Sequence, residues 1–533
     1  MGIGAPGPER RLGGIDAILR RGAELYPNRV AIDDRLNGIS LSYEELRRRS
    51  TQLAQALKRQ GIKKGDLVPY AFYNEHTAIE VLFACCMLGA VAMPINVRLS
   101  PVEAHAYISR YDCRVFLGNA ALAGLAPDSI SSKILSKTED ARSGVMFYET
   151  LLAAESGAPM PPCATWEDPY MMAMTGGTTG LSKAAVWCHG GCMMDTLSVM
   201  LHMQVGRNTR FLCLAPTFHA AGLGWGLLPV LWQAGTVTMP PQPSFDPAFV
   251  LASINRGLAE YLLIVPAMID PLYGLWHRNP ITSVQSICVT SAPTPVGLRK
   301  KLGEMFPEAA IVAGYGMTET FSMTIQSPDE FLSMPNSVGI PSSVTRLRIL
   351  DEAGREVPRG QPGHIYARTL AMSSGYHEDE ANTAKAFVKI KGDTENLDWM
   401  ATGDIGFLTE SGHLTIVDRL KDVIITGGEN VGSIEVENVL SELAGLSECA
   451  VVGVPDERWG ERVVAVLVMK SGGWSGDETI SRAKELCKKK LAGYKVPRDF
   501  VFMESLPRTS FGKVAKREVV KLVVAQSSVA RSA

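Results

Sequence analysis

From about Ser40 to Val237 the chain alternates two patterns of apolar positions. Ser42 to Gln60, Glu75 to Leu88 and His189 to Met203 repeat apolar residues at helical spacing, whereas Leu67–Phe72, Val91–Ile95 and Arg210–Leu214 are short apolar runs of strand length. The rhythm continues through Tyr261–Pro266 and Ser286–Thr290. Alternation at this spacing predicts βαβ units, and hence largely parallel sheets covered by helices. From about Ser343 the texture changes to turn-punctuated strands at Arg346–Leu350, Gly363–Arg368 and Gly412–Val417, which read as an antiparallel, β-rich subdomain. Asp418–Asp422 is a charged interruption between two apolar runs, either a hinge or a plain surface turn. Ala220–Met239 holds no charged residue and is long enough to cross a bilayer on residue count. Its four glycines and Pro229, with no basic flanks, predict a buried helix forming a pocket wall instead.

Length and composition narrow the class. The 533 residues correspond to about three to four domain-sized units. With 46% apolar and 20% charged residues, the chain has material for large cores and no signature of disorder. Lys and Arg total 53 against 55 Asp and Glu, a net charge of −2, which argues against a nucleic-acid partner. Charge is uneven locally: between Arg482 and Lys521 twelve Lys/Arg face four Asp/Glu, a solvated helix face or a surface that meets a polyanion. The ten cysteines are scattered, with no C-x-x-C pair, and predict reduced thiols. Met1–Gly14 has no apolar h-region, and Ala530-Arg531-Ser532-Ala533 is not a peroxisomal signal, so the expectation is a cytoplasmic protein without stable membrane insertion.

The strongest chemical signal is Met174-Thr175-Gly176-Gly177-Thr178-Thr179-Gly180-Leu181-Ser182-Lys183. Glycines let the backbone approach an anion, hydroxyls donate hydrogen bonds and the lysine adds charge, a combination suited to a polyphosphate. Leu181 and Ser182 separate the last glycine from Lys183, which excludes the Walker A spacing. Five further stretches follow: Ala215-Pro216-Thr217-Phe218-His219, Gly314-Tyr315-Gly316-Met317-Thr318-Glu319, Thr402-Gly403-Asp404, Asp418–Asp422 with Gly427-Gly428-Glu429-Asn430, and Pro507–Lys513.

In order and spacing these stretches resemble the adenylate-forming superfamily, and within it the acyl-CoA synthetases or AMP-dependent carboxylate–CoA ligases. The resemblance runs from about Gly13 to Val519. It implies an α/β fold, with a large N-terminal domain of two αβ-sandwich subdomains plus a β-barrel-like subdomain, and a small mobile C-terminal α/β lid. The implied division is 1–420 for the AMP-binding domain and 421–533 for the lid, with the hinge at Lys421. It also implies ATP, Mg²⁺ and CoA as cofactor and co-substrates, and a small carboxylic acid as substrate. The acid would attack the α-phosphorus of ATP, and a thiol would then displace AMP. A carboxylate with a pKa of about 4 is already ionised at neutral pH, so the first step needs positioning and charge neutralisation rather than a base.

By position in the family's motifs, Thr175, Gly176, Gly177, Thr178, Thr179, Gly180 and Lys183 would hold the ATP phosphates. Tyr315 would stack on adenine, Thr318 would contact the α-phosphate, Glu319 would bind Mg²⁺, and Asp404 with Arg419 would hold the ribose. Lys513 matches the adenylation lysine; Lys421 and the Gly427-Gly428 turn would serve the thiol step after a lid rotation. His219 is placed in the catalytic set and also in the acid pocket, with Phe218 and Trp225 on one side and Ser291, Ala292, Pro293 and Gly314 opposite. No Asp, Glu, Lys or Arg occurs from Phe211 to Gly235, which disfavours an amino-acid substrate and suits an apolar or aryl tail of medium size. Three departures stand out: Gly176-Gly177 in place of the family's Ser-Gly, one hydroxyl fewer, Ser182 in place of the usual proline, and Gly432 where Ser or Tyr is more usual. The alternatives are an acyl-AMP ligase that loads a carrier-protein phosphopantetheine, and a non-catalytic acid-binding relative. Oligomeric state is left open, with a homodimer as the assembly to test.

Overall fold

The computed structural model describes residues 13–137, 144–175, 182–241, 243–470, 476–509 and 512–532. Four sheets form among them. The chain is mixed α/β with a small C-terminal domain. The apolar runs at Leu67–Ala71 and Val91–Pro94 become neighbouring parallel strands, completely buried between helices. They lie in a seven-stranded sheet whose one antiparallel pair is Pro169–Thr175 with Lys183–Cys188. Arg210–Leu212, Tyr261–Ile264, Ser286–Val289 and Ala310–Met317 run parallel in a nine-stranded sheet. Phe321–Gln326 folds back antiparallel on the last of these.

The helices follow the spacing that predicts them. Tyr43–Arg59 starts at a Ser42 capping box with Glu45, which satisfies two of the N–H groups that a helix start leaves unpaired. His76–Leu88 is buried along its whole length between the two large sheets, so its pattern is apolar nearly all round rather than one-sided, with Glu80 paired to Arg49. The uncharged stretch 220–239 differs from the single helix expected. Ala221–Leu227 is a π-helical turn, Leu228–Trp232 continues as α-helix, and Thr236–Met239 is a strand of the large sheet. Close contacts explain the glycines: a Cβ on Gly222 would sit 2.1 Å from the Pro216 carbonyl oxygen, and one on Gly235 2.2 Å from that of Thr209. Among the described residues no helix is long and apolar enough to cross a membrane.

The turn-punctuated region forms a five-stranded antiparallel sheet containing Thr345–Leu350, Gly363–Thr369, Asp398–Leu408 and Leu414–Arg419. Residues 420–423 then lead into the fourth sheet, which holds Leu446–Asp456 paired with Gly460–Met469. Helices Ser433–Leu440, Asp477–Lys490 and Lys516–Ser532 accompany that sheet. Much of the basic excess between Arg482 and Lys521 faces acidic partners: Lys490 pairs with Glu442, Lys495 with Glu435, Arg508 with Glu448 and Lys516 with Glu437. All ten cysteines are free thiols.

Candidate active site

The site is assembled where the two large sheets, the antiparallel sheet and the C-terminal domain meet. Thr175 ends one strand and Lys183 begins the next, opposite each other in register. Gly176, Gly177, Thr178, Thr179 and Gly180, expected to hold the ATP phosphates, lie outside the described residues. The strand after the loop also pairs with a distant segment: the Val186 N–H donates to the Gly375 carbonyl, and that of His377 to Ala184. This pairing brings Tyr376 under Lys183, whose Nζ lies 4.6 Å from the ring centroid, a cation–π contact. The Tyr376 hydroxyl donates to Glu319 Oε1 at 2.6 Å.

Thr318 and Glu319 occupy the turn between Ala310–Met317 and Phe321–Gln326. Its backbone is strongly constrained. Phe321 has φ +55°, and a Cβ on Gly316 would sit 1.8 Å from the Phe321 carbonyl oxygen, so only glycine allows the crossing. Trp187 Nε1–H donates to the Thr318 carbonyl at 2.7 Å, and the Ser373 N–H to that of Glu319 at 2.8 Å. Glu319 is almost fully buried. Among the described residues no cluster of three or more His, Cys, Asp or Glu could hold a metal. A lone carboxylate nevertheless fits Mg²⁺, which takes one or two protein carboxylates and fills its shell with phosphate oxygens and water.

Asp404 and Arg419 are register partners on adjacent strands, and Arg419 Nε lies 3.1 Å from Asp404 Oδ1. The Tyr315 hydroxyl donates to the other carboxylate oxygen. Burial pushes the Asp404 carboxyl up from its ordinary value, opposed by Arg419 and Tyr315, and the Tyr315 phenol is pushed well up by burial and by Asp404. The residues expected to hold adenine and ribose therefore form one connected group.

Lys513 reaches this group from the C-terminal domain. The Thr509 N–H donates to the Lys513 carbonyl, and the Arg508 guanidinium to that of Gly512 while it also pairs with Glu448. Burial lowers the Lys513 pKa, Arg419 lowers it further, and Asp404 and Glu319 oppose the fall. The ammonium is thus within electrostatic reach of both carboxylates. Lys421 is exposed, with its pKa lowered by the protein around it. The Gly427-Gly428 turn sits within the fourth sheet, Gly427 packing on Trp459.

The acid-pocket residues meet in part. Burial, Arg98 and Lys513 push the His219 pKa down to about 3, so its imidazole is neutral at physiological pH, and its ring lies 4.5 Å from that of Phe218. Trp225 is buried directly behind Gly314, where an added Cβ would meet the indole at 2.4 Å. Ser291, Ala292 and Pro293 are exposed after the strand Ser286–Val289, and the neighbouring Thr290 hydroxyl donates to the Gly314 carbonyl. Residues missing from the motif reading also hold the site. Asn74 accepts from Thr217 N–H and donates to the Ala215 carbonyl, clamping the segment before His219. Arg98 faces His219 and lies beside Gly512 of the lysine loop. Neither Asn74 nor Tyr376 has a sequence signal of its own, because each acts through a partner more than fifty residues away.

The family model for AMP-binding enzymes matches residues 19–377, and that for the AMP-binding enzyme C-terminal domain matches 435–513. The chain belongs to the AMP-binding enzyme family. It is 32% identical to a feruloyl-CoA synthase of Amycolatopsis sp over 503 residues, covering 94% of this chain and 97% of that one. It is also 32% identical to indoleacetate–CoA ligase of Aromatoleum aromaticum over 515 residues, with the same coverage. A solved o-succinylbenzoate CoA synthetase from Bacillus subtilis, in complex with ATP and magnesium ion, superimposes with a TM-score of 0.80 at 25% identity. That match covers 94% of this AMP-binding enzyme and 98% of the synthetase chain.

Proposed function

We propose that this enzyme, an AMP-forming acid–thiol ligase, activates a medium-sized apolar or aryl carboxylic acid and transfers the acyl group to CoA. The observation that carries the reading is the approach of Lys513, from a different domain, to Asp404 and Glu319. In the first step a carboxylate oxygen bonds to the α-phosphorus of ATP, and the bond to pyrophosphate breaks. Negative charge crowds at that phosphorus, so the contribution required of the protein is preorganised positive charge. Lys513 and Lys183 supply it, and Thr318 positions the α-phosphate. Glu319 would hold Mg²⁺, which when bound neutralises phosphate charge. Tyr376 fixes the Glu319 carboxylate, while Asp404, Arg419 and Tyr315 orient the nucleoside.

In the second step the CoA sulfur bonds to the acyl carbon, the bond to AMP breaks and the thiol proton passes to solvent. A thiol with a pKa near 8.5 is only a few per cent thiolate at neutral pH, about enough against a reactive mixed anhydride. We place the domain boundary after Leu420 with Lys421 as the hinge, so that the Gly427-Gly428 turn can replace Lys513 for this step. A neutral His219 and the run from Phe211 to Gly235, which holds no Asp, Glu, Lys or Arg, favour an apolar or aryl acid, with Arg98 and Lys513 the charges that act on His219. The aryl acids in the names of the relatives support the same class.

The test is mass-spectrometric detection of acyl-AMP and acyl-CoA from purified protein with ATP and Mg²⁺, with and without CoA, across short, medium, long and aryl acids. Acyl-CoA from aryl or medium apolar acids is the expected product. Acyl-AMP that accumulates and ignores CoA would redirect the second step to a carrier protein.

A further inference from the structure

Asp195 lies in the middle of helix His189–Met203 and is completely buried. Its Oδ1 accepts from the backbone N–H of Ser322 at 3.1 Å and from the Ser322 hydroxyl. Its Oδ2 lies on the side of Gly224, the residue before Trp225, and Trp225 holds the carboxyl's pKa down. Among the described residues, Oδ2 and the Trp225 Nε1 have no aligned hydrogen-bond partner. A Cβ on Gly224, the residue before Trp225, would sit 3.7 Å from that oxygen and 3.2 Å from the Phe321 ring. Helix, π-helical turn and catalytic turn therefore converge on one carboxyl group.

Each of these contacts leads to the site. Ser322 directly follows the segment Thr318–Phe321, whose backbone is locked by the left-handed Phe321 and by Trp187. Trp225 backs Gly314, and its own carbonyl accepts from the Tyr261 hydroxyl at 2.7 Å. All three groups turned toward Asp195 are donors: an N–H and an O–H from Ser322 and an N–H from Trp225. A carboxylate, which only accepts, is the side chain that matches them. Burial pushes the carboxyl up to about 7 even against these donors, and Cys192, one turn earlier on the same helix, is a titratable neighbour on which it acts.

We propose that Asp195 is a positioning residue that couples the acid pocket to the adenylation centre, fixing Trp225 behind the pocket and the turn that carries Thr318 and Glu319. The inference rests on the acid pocket assigned under the proposed function. One carboxylate then makes the fit of the acid's tail and the placement of the α-phosphate contacts interdependent.

The test is acid-dependent ATP–pyrophosphate exchange by wild type, Asp195→Asn, Ser322→Ala, Trp225→Phe and the double variant Asp195→Asn/Trp225→Phe, with melting temperatures measured in parallel. Asparagine keeps an acceptor for the Ser322 N–H but turns an N–H toward the indole N–H. Asp195→Asn should therefore raise KM for the acid about tenfold and lower kcat by less, since two buried donors then face each other with no acceptor between them. Ser322→Ala should show the opposite split, lowering kcat more than it raises KM. In the Trp225→Phe background, which has no indole N–H, the Asp195→Asn effect on KM should largely vanish. Parallel losses in kcat and KM, or an undiminished effect of Asp195→Asn in that background, would show a purely structural role and overturn the proposal. If Asp195→Asn does not fold, the opposite splits of Ser322→Ala and Trp225→Phe decide the matter. Absence of exchange in wild type would instead overturn the function proposal, and this inference with it.

Discussion

Tyr376→Phe isolates one atom. The hydroxyl donates to Glu319 Oε1 at 2.6 Å, and both residues are more than nine-tenths buried, so water cannot take the hydroxyl's place. The phenyl ring remains beneath Lys183 and keeps the cation–π contact. A hydrogen bond to a charged group contributes roughly 1.5–3 kcal/mol, which corresponds to about a 10- to 150-fold change in rate if it acts fully in the transition state. Glu319 is placed at Mg²⁺, so the loss should appear in the adenylation half-reaction. The assay is ATP–pyrophosphate exchange at saturating acid, titrated with Mg²⁺. We expect kcat to fall about 10-fold or more and the half-saturating Mg²⁺ concentration to rise. Thioester formation from supplied acyl-adenylate should change little, and Tyr376→Ala should be worse than Phe because it also removes the ring under Lys183. An exchange rate within about twofold of wild type at every Mg²⁺ concentration would refute the link between Tyr376, Glu319 and the metal.

Lys513→Ala should lower acyl-adenylate formation about 10² to 10³-fold and spare thioester formation from supplied acyl-adenylate; equal loss in both half-reactions would contradict its assignment. The buried pair His76 and Asp34, with Nδ1 and Oδ2 2.6 Å apart, should make stability depend on pH. Burial alone would lower the His76 pKa, but Asp34 raises it; burial alone would raise that of Asp34, but His76 holds it down. The histidine's contribution is present below about pH 6.5 and fades as pH rises through its folded value, and the aspartate's is present above about pH 4 and fades on acidification. His76→Gln should therefore lower the melting temperature more near pH 5.5 than near pH 9, and an equal loss at both would exclude the ion pair. Gly432→Ala would place a Cβ 2.8 Å from the Val417 carbonyl oxygen, forcing the C-terminal domain from the position that presents Lys513. It should slow adenylation more than thioester formation, and unchanged rates in both would remove that contact from the mechanism.

Much of the fold was legible because period and burial agree. The strands at Leu67–Ala71 and Val91–Pro94 are buried on both faces, and helix Tyr43–Arg59 carries its own capping box. The uncharged segment 220–239 was misread as one helix because a uniformly apolar run has no periodicity with which to separate helix from strand. The Gly432 departure acquires a reason only in three dimensions, where the glycine abuts the strand that ends in the ribose-binding arginine proposed here. The motifs identify groups that would face substrate, including Thr318, Glu319, Asp404 and Lys513. Asn74, Asp195 and Tyr376 act by holding such groups, and their chemistry becomes visible only when their partners are placed beside them.

The packing also bears on how one site could serve two steps. Among the described residues, the apolar cores of the C-terminal domain draw on residues from Ile424 onward. Several of its contacts across the connection at 420–423 are polar. Asp418, at the end of the antiparallel sheet, accepts from the N–H and hydroxyl of Ser433, Lys470 lies 3.4 Å from Asp270, and Gly432 rests on Val417. Water can satisfy the polar groups of such contacts when they part, so these contacts oppose movement only weakly. A domain joined in this way can leave the site without loss of its own fold. Asp418 is then a natural latch: it is nearly fully buried, and its partner Ser433 also receives Lys516, itself paired with Glu437. Polar contacts of this kind are compatible with the hinge proposed at Lys421.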